Sequence, residues 1–306
     1  MFDLVCIGNP VYDEIITPYI RTEGRVLSGC STNACLAARK LGVSKVGFVG
    51  CIGKDRETPF RQWMDKYGID ARGTKVVSST GGFKLVYDDR GDRTLDVLGV
   101  SEEIHPEEIH PEDIPDEFLE SEVILFGPIL GEIGVETIRY VRNHSKAEIF
   151  LDPQGLIREI GDGGRIVEHG DPKVTRTLCG LVDIIKPNEH EAKLMADHEN
   201  PFTVSRLLVD WGARLSIVTL AEKGSVISME HGQVRIFAYE TIARDPTGAG
   251  DTYAGAFITK YLAGGDVYHC GLFASAAASI KVENTGPDFT LDPNEVIRRM
   301  NVLAGS

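Results

Sequence analysis

The chain has 306 residues, 42% hydrophobic and 25% charged, with a formal net charge of −14. That is ordinary globular composition, long enough for a sizeable core. The acidic balance argues against nucleic acid or an anionic membrane as the main partner, and no apolar run approaches the roughly 20 residues of a membrane helix. Residues 1–8 open as a strand carrying Asp3, unlike a signal peptide. The six cysteines form no Cys-x-x-Cys pair and read as reduced, mostly buried thiols, so the expected location is cytoplasmic.

In chain order, continuous Val/Ile/Leu runs predict strands over 2–8, 45–51, 122–126, 148–152, 183–186, 215–220, 225–229 and 234–239. Amphipathic segments between them predict helices over 32–41, 57–67, 134–143, 189–196, 204–212, 251–262, 267–282 and 293–303. The expected class is α/β, with a doubly wound, mostly parallel sheet flanked by helices. Residues 12–27 and 81–99 break the rhythm by alternating. They predict a small antiparallel β-sheet beside the carboxyl end of the first strand, acting as a lid on a single domain spanning 1–306. Within 101–115 the sequence Glu-Ile-His-Pro occurs twice, and its prolines and glutamates predict a solvated acidic connector.

Several turns carry candidate chemistry. Asp13 follows the first strand and could accept hydrogen bonds from vicinal hydroxyls, although turn aspartates are common. Ser28-Gly29 opens a helix of small residues, with Asn33 in its first turn, capping or touching a ligand. Asp55 reads as a helix N-cap. Asn188, Glu189 and Glu191 cluster where a strand ending at Lys186 passes into a helix. Carboxylates there suit any helix dipole, and in a nucleotide site Asn188 and Glu191 would hold Mg²⁺ through its waters. Thr219-Leu220-Ala221-Glu222-Lys223-Gly224 is a hairpin turn or a nucleotide wall. No P-loop, Gly-x-Gly-x-x-Gly helix start or Gly-x-Ser-x-Gly elbow is present.

The most informative stretch comes last. Gly248-Ala249-Gly250 runs into Asp251 and then into an apolar helix. Small residues let backbone N–H groups approach an anion, and the helix N-terminus adds its dipole. A carboxylate beside that anion has a natural use in taking a proton from an attacking hydroxyl. The bland alternative is an N-cap aspartate after a glycine turn.

In this order the motifs resemble the ribokinase-like (PfkB) carbohydrate kinases from Gly8 to about Gly286. Residues 245–257 resemble that family's C-terminal signature and residues 28–42 its N-terminal one. Asn188-Glu189-His190-Glu191 fits its Asn-x-x-Glu motif. The resemblance implies ATP-dependent phosphorylation of a hydroxyl on a sugar or related polyol. A nucleoside kinase of the same family is the alternative, with Tyr12 or Phe83 as an apolar surface for a base. A non-catalytic sugar or nucleotide sensor is the alternative of another class.

The same resemblance implies that Asp251 is the base and that Gly248, Ala249 and Gly250 join it in an anion hole. Asn188 and Glu191 organise Mg²⁺, while Asp13, Ser28, Gly29 and Asn33 bind the substrate. Asn188, Thr219, Ala221, Gly224 and Asn284 meet the nucleotide. Asp245 matches a position that helps hold a monovalent cation, K⁺, in some members. Two departures stand out. Ser28 replaces a usual glycine, narrowing the sugar pocket or adding a polar contact, and Ala221 replaces another, which a negative φ would accommodate. Arg93 reads as a solvated lid charge. A half-polar lid sheet could pair with its copy, giving a homodimer through the lid.

Overall fold

The structure, a computed structural model, describes residues 1–88, 93–98 and 108–305. Its strands in chain order are β1 (Leu4–Ile7), β2 (Val11–Ile16), β3 (Val26–Ser28), β4 (Val46–Gly53), β5 (Asp70–Val77), β6 (Phe83–Tyr87), β7 (Arg93–Val97), β8 (Val123–Phe126), β9 (Glu148–Leu151), β10 (Arg158–Ile160), β11 (Ile166–Glu168), β12 (Ile184–Ile185), β13 (Leu215–Thr219), β14 (Ser225–Met229) and β15 (Gly232–Ile236). The helices are α1 (Cys30–Lys40), α2 (Glu57–Tyr67), α3 (Asp116–Leu119), α4 (Val135–His144), α5 (Pro172–Cys179), α6 (Glu189–Ala196), α7 (Pro201–Asp210), α8 (Ala249–Leu262), α9 (Val267–Lys281) and α10 (Pro293–Ala304).

The main sheet runs β15-β14-β13-β12-β9-β8-β1-β4-β5. It is parallel from β13 through β5 and antiparallel across β13, β14 and β15. Central strands such as Val123-Ile124-Leu125-Phe126 are buried throughout, because helices cover both faces. One core layer joins alternate strand residues to α1, α2, α8, α9 and α10. The other joins the intervening residues to α3 through α7. Among the described residues no helix is long and apolar enough to cross a membrane. The six cysteines are free and buried.

A separate four-stranded sheet, β3-β2-β6-β7, forms the lid. It is not wholly antiparallel as expected, since β2 and β6 pair in parallel. Both continue from parallel strands of the main sheet, β1 and β5, and leave it in the same sense. The lid's inner face packs Val11, Ile15, Phe83, Leu85 and Leu95 onto Ile129 and Leu130 of the main body.

Other local expectations are corrected. The strand β5 is a half-polar edge strand, and α5 is an eight-residue helix that opens on Pro172 and buries only Thr175, Leu178 and Cys179; neither was expected from the sequence. The hairpin β10–β11 was also missed, and an isolated bridge joins it to the lid through Asp96 and Arg165. Arg56, not Asp55, is the N-cap of α2. Asp55 instead accepts from the backbone N–H of Thr80 at 2.9 Å. The first Glu-Ile-His-Pro copy and most of the 88–92 turn lie outside the described residues. The second copy is no plain solvated connector, because Ile109 is buried and its N–H donates to the Glu132 carbonyl at 2.9 Å.

Candidate active site

The carboxyl ends of β1, β9, β12 and β13 open into one cavity of about 1930 Å³, roofed at one end by the lid. This is where an open parallel sheet offers unpaired backbone groups to a ligand.

At one end lies the turn before α8. Gly248 is its N-cap with φ 78°, a left-handed conformation suited to glycine, and a Cβ there would come within 2.9 Å of the Asn33 amide nitrogen. Gly248, Ala249, Gly250 and Asp251 all line the cavity. The helix begins at Ala249, so Asp251 lies within its first turn. Two amides hold this carboxylate: Asn33 Nδ2 donates to Oδ2 at 2.9 Å and Gln154 Nε2 donates to Oδ1 at 3.4 Å. Asn33 thus touches Asp251 and borders a small separate cavity rather than the main one.

Beneath the turn is a pair that the sequence did not announce. Lys186 and Asp152 lie 2.7 Å apart, both 3% exposed, and both line the cavity. Burial is the largest single influence and would lower the lysine's pKa, yet the electrostatic pull of Asp152, Glu191 and Cys30, with the Asp152 hydrogen bond, together turns the net shift upward. The thiol of Cys30 and the carboxylates of Asp152 and Asp251 have ligating atoms within 4.8 Å of one another. Burial first, then the charges of Asp152 and Asp251, push the Cys30 thiol up, so it stays protonated. The only signal for Asp152 and Lys186 was their place at two strand ends.

Asn188 is the N-cap of α6 and forms a capping box with Glu191. Asn188 Oδ1 accepts from the Glu191 N–H, and Glu191 Oε2 accepts from the Asn188 N–H, each at 2.9 Å. Burial, followed by the charge of Asp152, pushes the Glu191 carboxyl up to about 7. Thr219, Ala221 and Gly224 line the same end. The condition placed on Ala221 is not met, because its φ is +51°. Asn284 is absent from the cavity wall and instead caps α9, donating to the Ile280 carbonyl at 2.8 Å.

At the lid end, Asp13 is 3% exposed. Its Oδ1 accepts from the Phe83 N–H at 2.8 Å, and the Ser28 hydroxyl also hydrogen-bonds to it. Ser28 therefore adds a polar contact to Asp13. Desolvation raises the Asp13 pKa to about 6 despite these bonds. Gly29, Phe83 and Arg93 line this end, whereas Tyr12 does not. Tyr12 packs in the core with Arg56 over its ring. Two bonds tie lid to turn: the Thr247 hydroxyl donates to the Tyr87 hydroxyl at 3.1 Å, and the Thr17 hydroxyl donates to the Arg244 carbonyl at 2.8 Å.

A cavity with a carboxylate at an anion turn, a buried lysine nearby and a second carboxylate under a lid suits phosphoryl transfer. The family model described as "pfkB family carbohydrate kinase" matches residues 1–294. The chain belongs to this family of kinases. It is a phosphotransferase with an alcohol group as acceptor. The kinase is 29% identical over 279 residues to a cytidine kinase of Thermococcus kodakarensis, covering 88% of this chain and 92% of that one. It is 25% identical over 300 residues to a ribokinase of Haemophilus influenzae, covering 92% and 93%. Its fold matches a putative ribokinase II of E. coli, solved in complex with ATP and Mg²⁺, at a TM-score of 0.77 and 20% identity, covering 99% and 100% of the two chains.

Proposed function

We propose that the kinase transfers the γ-phosphate of ATP to a hydroxyl of a sugar or related polyol, acting as a single domain, residues 1–306, closed by its lid. The observation that carries this is Asp251 itself, seated in the first turn of α8 on the cavity wall and held by two amides. In this reading Asp251 accepts the proton of the attacking hydroxyl. The N–H groups of Gly248, Gly250 and Asp251 meet the charge that develops on the phosphate, whereas that of Ala249 donates to the Pro246 carbonyl at 3.2 Å and serves to shape the turn. Lys186 adds a fixed positive charge, its Nζ lying 3.4 Å from a Cβ built on Gly250. Asp13 and the Ser28–Gly29 turn orient the acceptor hydroxyls under the lid. Asn33 positions Asp251.

Mg²⁺ fits this wall, because Glu191 is a buried carboxylate with a raised pKa that a nearby cation would relieve. Asn188 and Glu191 would hold the ion through its waters, and when bound it neutralises donor phosphate charge. The family's ATP use and the ATP and Mg²⁺ bound by the E. coli neighbour support the donor assignment.

A nucleoside acceptor is the second reading, favoured by the Phe83 ring on the cavity wall and by the cytidine kinase relative. An ATP-consumption assay over sugars, polyols and nucleosides, with the product identified, separates the two. Turnover on none of them would sink both. A homodimer through the lid belongs to the same proposal, and light scattering before and after a charge is placed on the lid's outer face tests it.

A further inference from the structure

The turn that carries the phosphate chemistry rests on a buried charge that the proposed mechanism does not use. Asp245 is fully buried. Its Oδ1 accepts from the Thr247 N–H at 2.9 Å, but its Oδ2 has no hydrogen-bond partner. A buried carboxylate needs a positive charge close by. That charge is Lys281, at the end of α9. Its Nζ is 3.9 Å from Asp245 Oδ2, and the two side chains are 4% and 0% exposed. The lysine stem runs behind the turn, its Cε 3.4 Å from a Cβ built on Gly248. Burial lowers its pKa, and the charges of Asp245 and then Asp251 oppose that shift and favour the ammonium form.

The neighbouring backbone oxygens are taken up in the same manner. Lys281 Nζ donates to the Asn284 carbonyl at 2.8 Å. Lys40 Nζ donates to the Pro287 and Phe289 carbonyls at 2.6 and 2.8 Å. A monovalent metal ion beside Asp245 would need oxygen ligands of this kind. It would find the carbonyls of Asn284, Pro287 and Phe289 already bonded to ammonium groups, and a like charge 3.9 Å from the carboxylate. K⁺ at Asp245, implied by resemblance, does not fit these residues.

We infer that Lys281 supplies from within the chain the cation that holds the Asp245–Asp251 turn, so that the kinase needs no monovalent metal ion. The inference concerns the site proposed above, but its first test does not depend on that reading. The intact chain is melted in KCl, NaCl and choline chloride at equal ionic strength. Wild type should melt within about 1 °C in all three, because the position is filled. Lys281→Met keeps an apolar stem and removes the charge. It should melt lower in choline chloride and regain about 2 °C or more in KCl. With an acceptor in hand, its turnover should fall ~10-fold or more in choline chloride and recover in part with K⁺.

Potassium-specific stabilisation of wild type would overturn the inference. So would a Lys281→Met variant that melts like wild type in choline chloride, or one that no salt restores. If the variant does not fold, the wild-type comparison still decides. An acceptor panel that yields no turnover counts against the kinase reading alone, since melting needs no acceptor.

Discussion

The two ends of the cavity are built differently. At the end proposed to meet the donor, the wall is a helix start with its backbone N–H groups and first-turn side chains, and a buried lysine lies behind it. At the end proposed to meet the acceptor, the wall is made of side chains on a lid sheet, such as Asp13 bonded to Phe83, and the sheet is held to the main body by apolar packing on Ile129 and Leu130 and by a few hydrogen bonds. The first arrangement is stiff and depends little on the substrate. The second can be remodelled by substitutions on two hairpins, which is how one scaffold serves different acceptors. Substitutions at each end should therefore fail in different ways.

The largest effect is expected at the donor end. Asp251→Asn keeps the shape and removes the base, so kcat should fall about 10²–10⁴-fold. Nucleotide affinity should hold, because the backbone of the turn is untouched. Turnover and nucleotide titration on the same preparation check this, and near-normal kcat would sink the base assignment.

Asp13→Asn should do the opposite. Losing a charged acceptor of hydroxyl hydrogen bonds costs the acceptor's kcat/KM about 10–100-fold, with the ATP KM unchanged. The same carboxyl has its folded pKa raised from 3.8 to about 6 by burial. A raised acid pKa means the charged form is disfavoured in the fold. This penalty is absent below about pH 4 and fully present above pH 6, where the two-unit shift corresponds to at most about 3 kcal/mol. The variant should therefore melt higher than wild type at pH 7 and not at pH 4. In wild type, the acceptor KM should rise as pH falls through 6. A flat acceptor KM from pH 5 to 8 would remove Asp13 from the binding set.

The same contrast decides what could be read from the sequence. The turn and helix start at α8 were legible because Gly248-Ala249-Gly250-Asp251 is one contiguous stretch whose residue types dictate the backbone. The alternating strands and helices were legible because buried parallel strands read as unbroken apolar runs. Lys186 and Asp152 were not, because they meet only when β9 and β12 lie side by side. Lys281 was hidden in an otherwise apolar helix, where a single lysine gives no sign of what it faces. Asn284 looked like a pocket residue but is consumed by capping α9. The parallel pairing of β2 with β6 depends on two hairpins far apart in the chain.

A smaller effect tests the link between the ends. Tyr87→Phe removes the hydroxyl that meets Thr247 and leaves a buried hydroxyl without its partner. One neutral hydrogen bond of this kind contributes about 0.5–1.5 kcal/mol, so the KM values for donor and acceptor should both change about 2–10-fold. A change confined to the acceptor would show that the lid and the turn act independently.

The smallest effect belongs to Ala221. It lies at an exposed turn with φ +51°, where a Cβ meets the carbonyl oxygen that follows it. Glycine removes that clash, worth roughly 1–2 kcal/mol. It also loosens the unfolded chain, which offsets about 0.4–1 kcal/mol. Ala221→Gly should therefore gain at most about 1.6 kcal/mol and raise the melting temperature by no more than about 3 °C. In the proposed reading the donor is held by the α8 turn and not by this residue, so the ATP KM should stay within about twofold, well under the 1.4 kcal/mol of a tenfold change. A larger change in ATP KM would mean that the left-handed alanine presets the nucleotide wall, and that the stiff end of the cavity extends to the hairpin between β13 and β14.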